Sequence, residues 1–343
     1  MVIVSYNSRS ELEQTLPALV GELIEGDELI VVDNASEDGS AQAAREFAPQ
    51  ARVMALSQNV GFAEGSNWGA GQAHGDLIVF LNPDARPLPG FGAAIRRPAA
   101  REDWAAWMGL VACEHARFVN TQGNVVHFTG IAWAGGHGNS IPAGLAPHEV
   151  AAASGACLAV RREVWEAMGG FPDEFFLYHE DIDFSLRLWL YGRRAGIEPT
   201  AVVDHDYEFG SSPQKWRWLE RNRWALLIRV YPAALLVFVA PALLVTEAAL
   251  LALALRGGWI GQKLVAMIDV ARWLPRLLAE RRDVQARREI TASDFARHLT
   301  PDLESPFIGV RARSGATRSL LRAYWRCVIA CLALLHRARP GAD

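Results

Sequence analysis

The chain has 343 residues, of which 51% are hydrophobic and 21% charged, which excludes a disordered or low-complexity protein and leaves room for two domains. Its net charge of −4 hides an asymmetry: residues 1–255 carry 18 Lys+Arg against 30 Asp+Glu, whereas residues 256–343 carry 16 against 8. A basic tail can serve nucleic acid or an anionic membrane; the apolar residues around this one favour the membrane, and no nucleic-acid partner is expected.

The chain opens on β-branched residues, with no charged segment followed by an apolar core, so no signal peptide is expected. Strands are expected at 2–4, 28–33, 52–56 and 76–81. Helices are expected at 10–22, 40–47 and 62–73, the first with Ser10 as N-cap and Glu13 closing a capping box. Strands alternating with helices at this spacing make a parallel sheet, whose ligands bind beyond the strand C-termini. That rule selects Ser5-Tyr6-Asn7, Asp33-Asn34, Asn59-Val60-Gly61 and Asn82-Pro83-Asp84.

Residues 104–160, rich in Gly, Trp and His, read as strands and loops completing a mixed sheet. A short helix at 163–168 stops at Gly169-Gly170, a second helix covers 181–191, and 201–203 is a last short strand leading into Asp204-His205-Asp206. The cysteines Cys113, Cys157, Cys327 and Cys331 have neither CxxC nor zinc spacing and read as reduced thiols of a cytosolic protein. From Trp216 the pattern is helical. Residues 233–255 are apolar apart from Pro241, Thr246 and Glu247, which meets the roughly 20 residues a bilayer core requires. Residues 262–288 form a basic amphipathic segment, and 320–335 an apolar one flanked by arginine.

Several residues in this frame suit chemistry, each with a plainer alternative. Asp33, at a strand end, can accept from a nucleobase N–H or a ribose hydroxyl, or can simply turn the chain with Asn34. Asp84 can bind Mg²⁺ or Mn²⁺ beside a leaving diphosphate, or belong to an Asn-Pro-Asp turn. Glu180, Asp181 and Asp183 follow an aromatic run; one can act as general base on a hydroxyl, or all three can cap a helix. His205 can complete a metal shell or be structural. Arg221 and Arg223, after the Gly/Ser/Pro segment 210–213, suggest a basic clamp behind a lid, or a solvated helical face.

The order of these segments carries more than any one of them. VIVSYN, VVDNASEDGS, SQNVGFAEGSNWG, VFLNPDA and GACLAVRREVWEAMGGFPDEFFLYHEDIDFSLRL together resemble the family 2 glycosyltransferases, most nearly the bacterial rhamnosyltransferase-like branch, over about residues 1–230. The resemblance implies an α/β GT-A fold, a mainly parallel mixed sheet with flanking helices, and a single-displacement inverting mechanism. It implies that Ser5, Tyr6 and Asp33 line the nucleoside pocket, with Asn59, Gly61 and Asn67 near the nucleotide. Asp84 matches the metal-binding Asp of the DxD-type motif, whose first acid is here Asn82, and His205 matches a late metal-ligating His. Asp181 matches the catalytic base, with Glu180 as the alternative, and Gly155-Ala156-Cys157 matches a strand touching donor and acceptor. Arg221 and Arg223 would steady the diphosphate.

The expected organisation is a catalytic domain over 1–225 and a helical, basic, membrane-associated region over 226–343. The positive-inside rule disfavours moving the basic tail across a bilayer, so a re-entrant hairpin or interfacial helices fit better than a single span; a helix pair at an oligomer interface is the soluble alternative. The expected partners are a nucleoside-diphosphate sugar, favouring dTDP or UDP, and a glycan or polyprenyl-linked acceptor. The expected place is the cytoplasmic face of a bacterial inner membrane. Nucleotidyl transfer would need a Gly/Lys/Arg-rich loop after the first strand, where only Arg9 is found. An inactive scaffold is hinted at only by Asn82.

Overall fold

The computed structural model describes residues 1–101, 103–206, 213–304 and 315–337. Residues 210–212 of the expected lid lie outside them. The strands are β1 (Val2–Ser5), β2 (Ile30–Asp33), β3 (Arg52–Ala55), β4 (Leu77–Leu81), β5 (Arg86–Pro87), β6 (Trp104–Cys113), β7 (Phe118–Thr121), β8 (Asn124–Val126), β9 (Ala132–Ala134), β10 (His148–Glu149), β11 (Cys157–Arg161) and β12 (Arg194–Asp204). The helices are α1 (Arg9–Val20), α2 (Ser40–Phe47), α3 (Gly61–Gly71), α4 (Phe91–Arg101), α5 (Arg162–Met168), α6 (Glu180–Leu190), α7 (Pro213–Val230), α8 (Ala233–Arg256), α9 (Ile260–Ala286), α10 (Ala292–Ala296) and α11 (Gly315–Arg337).

The chain divides into two compact units. The first comprises Met1–Asn124, Ala134–Leu188 and Arg193–Phe209; the second comprises Val125–Trp133, Trp189–Gly192 and Gly210–Asp343, so all of α7 lies with the tail.

The first unit is built on one mixed sheet of order β10-β12-β6-β11-β4-β1-β2-β3, with β5 on β12 and β7 on β6. Strands β1 to β4 are mutually parallel where they pair, as their helical crossovers demand, while β11 runs antiparallel to both β4 and β6. Strand β1 reads VIVS, wholly buried, as a central parallel strand covered on both faces must be. Helix α3 lies close against it: a Cβ on Gly69 would come within 2.4 Å of Val2, so only glycine permits the approach. Ser5 and Asp33 are in register at the ends of β1 and β2, which points both at the same crevice.

Two local expectations need correction. Helix α1 starts at Arg9 with Ser8 as its cap, not at Ser10 with a capping box. The Arg9 N–H is taken by Asp38 Oδ2, and Glu13 bonds the Arg9 guanidinium instead of turning back to the cap. The last strand is also much longer than 201–203, because β12 runs from Arg194 alongside β6 through an irregularity in register between Glu198 and Val202. Gly169 does end α5 as expected, in the left-handed conformation at φ +72°.

In the second unit, α7, α8 and α9 are tied by buried charge. Arg223 and Lys263, both fully buried, each bond to Glu220 and to Glu247, so two cations meet two anions. Further pairs run along α7 and α9: Arg217 with Asp269 at 2.7 Å and Arg229 with Glu280 at 3.0 Å. The segment 125–133 packs here as well, with Phe128 stacked on Trp325 at 4.8 Å and the Thr129 carbonyl accepting from Arg223. Helices α8 and α11 are long and apolar enough to cross a membrane, and only 17% of each apolar window is buried.

Candidate active site

The crevice at the ends of β1 and β2 holds unsatisfied polar atoms. Asp33 is 3% exposed; its Oδ2 accepts from Ser36 N at 3.2 Å, while Oδ1 is buried without a partner, as is Ser5 Oγ. A buried acceptor left unpaired costs about 1–3 kcal/mol, a cost removed when a ligand donor arrives. Tyr6 lies beside them and is 51% exposed, leaving its ring face open for stacking.

The loop before α3 is built by asparagines. Asn59 Oδ1 accepts from Gly61 N at 2.9 Å, while Asn34 accepts from Val60 N and donates to the Gly61 carbonyl. Gly61 sits at φ +88°, and a Cβ there would fall 2.5 Å from the Phe176 carbonyl oxygen. The close approach that requires glycine is thus to the segment preceding the acidic motif. Phe62 N and Ala63 N both bond that same carbonyl. Asn67 also faces this segment, binding the backbone of Phe171 in both directions and Asp173 at 2.6 Å.

Asp84, half-exposed, faces His205, whose Nε2 stands 3.0 Å from Asp84 Oδ1. Burial pushes the Asp84 carboxyl up, but the hydrogen bond and charge of His205 outweigh it and hold the group below the usual carboxylate range. Asn120 donates to the His205 carbonyl at 2.9 Å and fixes that residue in place. A carboxylate and an imidazole converging at this distance suit a divalent ion whose remaining ligands come from phosphate and water. Among the described residues no three His, Cys, Asp or Glu side chains form a metal shell. Asp84 also lines a cavity of about 260 Å³ with Glu11, Arg86, Asp204 and Asp206.

The acidic motif opens α6, and its three acids have separate environments. Asp183 is fully buried and bonds Arg187 at 2.6 Å; Arg187 in turn donates to the carbonyls of Met168 and Gly170 at 2.7 Å. That acid anchors the helix. Asp181 is half-buried, with Oδ2 accepting from Gly155 N at 2.9 Å and from Asn124 Nδ2 at 3.0 Å, and Oδ1 from Ile182 N at 2.8 Å. Burial raises its proton affinity above the carboxylate norm, partly offset by those three donors. Glu180 is buried with Oε2 unpartnered, and burial together with the charge of Asp181 lifts its carboxyl well above the ordinary range. Two adjacent carboxylates of raised proton affinity are the arrangement a general base uses. The approach to them is strained: Phe176, Tyr178 and His179 all have φ between +62° and +72°.

Ser5, Tyr6, Asp33, Asn59, Gly61, Asn67, Asp84, Glu180, Asp181 and His205 therefore all fall in the first unit, whereas Arg221 and Arg223 fall in the second. Arg223 spends its guanidinium on Glu220, Glu247 and the Thr129 carbonyl, and Arg221 lies 4.4 Å over the Trp218 ring. Sequence reading placed Asn34 in a strand-end segment without its role in the loop before α3, and it missed Asn124. Asn124 has no local signal, since its partner lies 57 positions away.

Residues 1–169 match the family model described as Glycosyl transferase family 2. The chain is 28% identical over 229 residues to N-acetylglucosaminyl-diphospho-decaprenol L-rhamnosyltransferase of Mycobacterium tuberculosis, a match covering 60% of this chain and 75% of that protein. Among solved structures, it resembles GalNAc-T7 with UDP, GalNAc and Mn²⁺, at a TM-score of 0.55 and 15% identity, over 68% of this chain and 48% of that one, so it spans about half of that protein. It also resembles S. aureus TarS 1-349 in complex with UDP-GlcNAc, at a TM-score of 0.50 and 14% identity, over 98% of this chain and 90% of the other. These structural likenesses bear out the expected GT-A fold.

Proposed function

We propose that this chain, a family 2 glycosyltransferase, moves rhamnose or a similar hexose from a dTDP- or UDP-sugar to a hydroxyl of a glycan carried on a polyprenyl lipid. The observation that carries the reading is Asp181, a carboxylate of raised proton affinity held by three donors in the same unit as the unsatisfied Ser5–Asp33 crevice and the Asp84–His205 pair. The name of the mycobacterial relative supports the sugar and the lipid-linked acceptor.

Asp33 Oδ1 accepts a base N–H or ribose hydroxyl, and Tyr6 covers the base. Asp84 and His205 would hold Mg²⁺ or Mn²⁺, which when bound neutralises charge on the departing diphosphate. Asp181 takes the acceptor hydroxyl proton while that oxygen bonds to the anomeric carbon, and the bond from that carbon to the diphosphate breaks on the opposite face. The product is inverted, and the nucleoside diphosphate leaves. The apolar α8 and α11 and the basic tail support work at the cytoplasmic face of a bacterial inner membrane, where such an acceptor is presented.

Asp181→Asn is expected to lower kcat by about 10²–10⁴, with donor affinity retained. Turnover near wild type in that variant, measured with a lipid-linked acceptor and Mn²⁺, rules out Asp181 as the base.

A further inference from the structure

The start of α8, the last turns of α9 and Arg288 just beyond them border an open cavity of about 330 Å³, lined by Ala233, Arg281, Arg282, Gln285 and Arg288. Three arginines and no acid face it. Elsewhere in this unit guanidinium groups meet carboxylates, as in Arg217–Asp269, Arg229–Glu280 and Arg322–Asp302. Among the described residues none of the three cavity arginines has such a partner. Arg281 is anchored by donating to the carbonyls of Ile228 at 2.6 Å and Tyr231 at 2.7 Å, which fixes one wall. Burial pushes Arg281 below its ordinary proton affinity, and the charge of Arg288 adds to that shift. Ala233 is also the first residue of the 24-residue α8, whose cap makes no side-chain bond, so the positive end of that helix adds to the same field.

What lies beyond the cavity says which anion belongs there. From Ala233 the outer face of α8 is apolar for roughly 30 Å, with Val237, Leu244 and Val245 each 70–73% exposed. The helix has one acid before its C-terminal Arg256, and that acid, Glu247, is turned inward to Arg223 and Lys263. Those bonds tie α8 to α7 and α9 along its inner side. Withdrawing it alone into a bilayer would leave two buried cations on the single carboxylate of Glu220, which favours its outer face lying on a membrane over its passing through one. A basic cavity at the root of an apolar face has the polarity of a lipid, with the headgroup at one end and the chain along the other.

We infer that the Arg281–Arg282–Arg288 cavity binds the phosphate group of a membrane lipid whose hydrocarbon chain lies along the exposed face of α8. This rests on the reading that the second unit meets a membrane, and it assigns the headgroup site within that reading.

The test is sedimentation of the full chain with phosphatidylcholine vesicles, plain or doped with a few mole per cent of polyprenyl monophosphate, alongside calorimetric titration with inorganic pyrophosphate. Doped vesicles are expected to bind the wild type. The triple variant Arg281→Gln/Arg282→Gln/Arg288→Gln is expected to lose about tenfold in affinity, against less than about twofold for Arg256→Gln/Arg272→Gln/Arg337→Gln, which removes equal charge from the same unit. The double variant Arg282→Gln/Arg288→Gln spares the anchoring Arg281 and serves where the triple does not fold. Equal losses in the two triples overturn the site in favour of general surface charge. Triad-dependent binding of pyrophosphate with no preference for doped vesicles overturns the lipid in favour of a free anion. Failure of the wild type to bind any vesicle sinks the membrane reading as well, whereas vesicle binding indifferent to the triad sinks only this inference.

Discussion

The two units differ in where they leave chemistry open. At the ends of its parallel strands the first unit leaves Ser5 Oγ and Asp33 Oδ1 buried without partners, and it raises the proton affinity of the neighbouring acids Glu180 and Asp181. The second unit closes its interior charges on one another, Arg223 and Lys263 against Glu220 and Glu247. Its open features lie outside: exposed apolar side chains and a cluster of arginines that, among the described residues, has no carboxylate partner. Unsatisfied acceptors at strand ends mark where a small polar ligand completes the fold, and paired interior charge beneath an apolar exterior marks a surface shaped for an extended partner.

The sharpest way to break this contrast is at the buried quartet. Arg223→Ala leaves Glu220 and Glu247 sharing Lys263 beside a new cavity and is expected to destabilise the second unit by about 3–5 kcal/mol. Denaturant unfolding measures it. A loss below about 1 kcal/mol would mean that water already reaches the quartet and that this interior is not closed. At the other pole, Asp33→Asn puts an amide where the nucleoside is expected to need an acceptor. Donor affinity should fall about tenfold, an effect on the order of 1.5 kcal/mol, with kcat at saturating donor near wild type. Calorimetry with the nucleoside diphosphate alone reads this, and unchanged affinity would show that Asp33 merely turns the chain.

Much of the first unit was legible because period and spacing suffice for parallel α/β units: β1 to β4 fall within a few residues of expectation, and their C-terminal ends share one edge of the sheet. The long-range details were not. Gly61 reads in sequence as room for a nucleotide, yet the atom its missing Cβ makes room for is the Phe176 carbonyl, more than a hundred positions away. Arg223 reads as a phosphate clamp from its neighbours Arg221 and Asn222, but its role is decided by Glu247 and Lys263, which local pattern cannot bring to it. The 125–133 segment shows the same limit, since its place in the second unit depends on stacking between Phe128 and Trp325.

The smallest expected effect is the most specific to the contrast. Asn124 donates one of the two hydrogen bonds to Asp181 Oδ2, the other coming from the Gly155 backbone. Glu180 is the acid beside this carboxylate, its own proton affinity raised by the charge of Asp181; Asn124 and Gly155, from the elements facing it, are neutral. Burial raises the proton affinity of Asp181, and Asn124 opposes that by stabilising the charged form. The base works ionised, so activity is lost as pH falls through its raised pKa. Removing a donor to the ionised form lifts that pKa further. Asn124→Ala is therefore expected to move the acid limb of the pH–rate profile upward while the plateau rate stays within about threefold of wild type, the scale of one neutral hydrogen bond. A structural defect alone would lower the plateau and leave the limb in place. An unmoved limb in a folded Asn124→Ala protein would separate Asn124 from the base, and a limb displaced downward would reverse the sign of its effect.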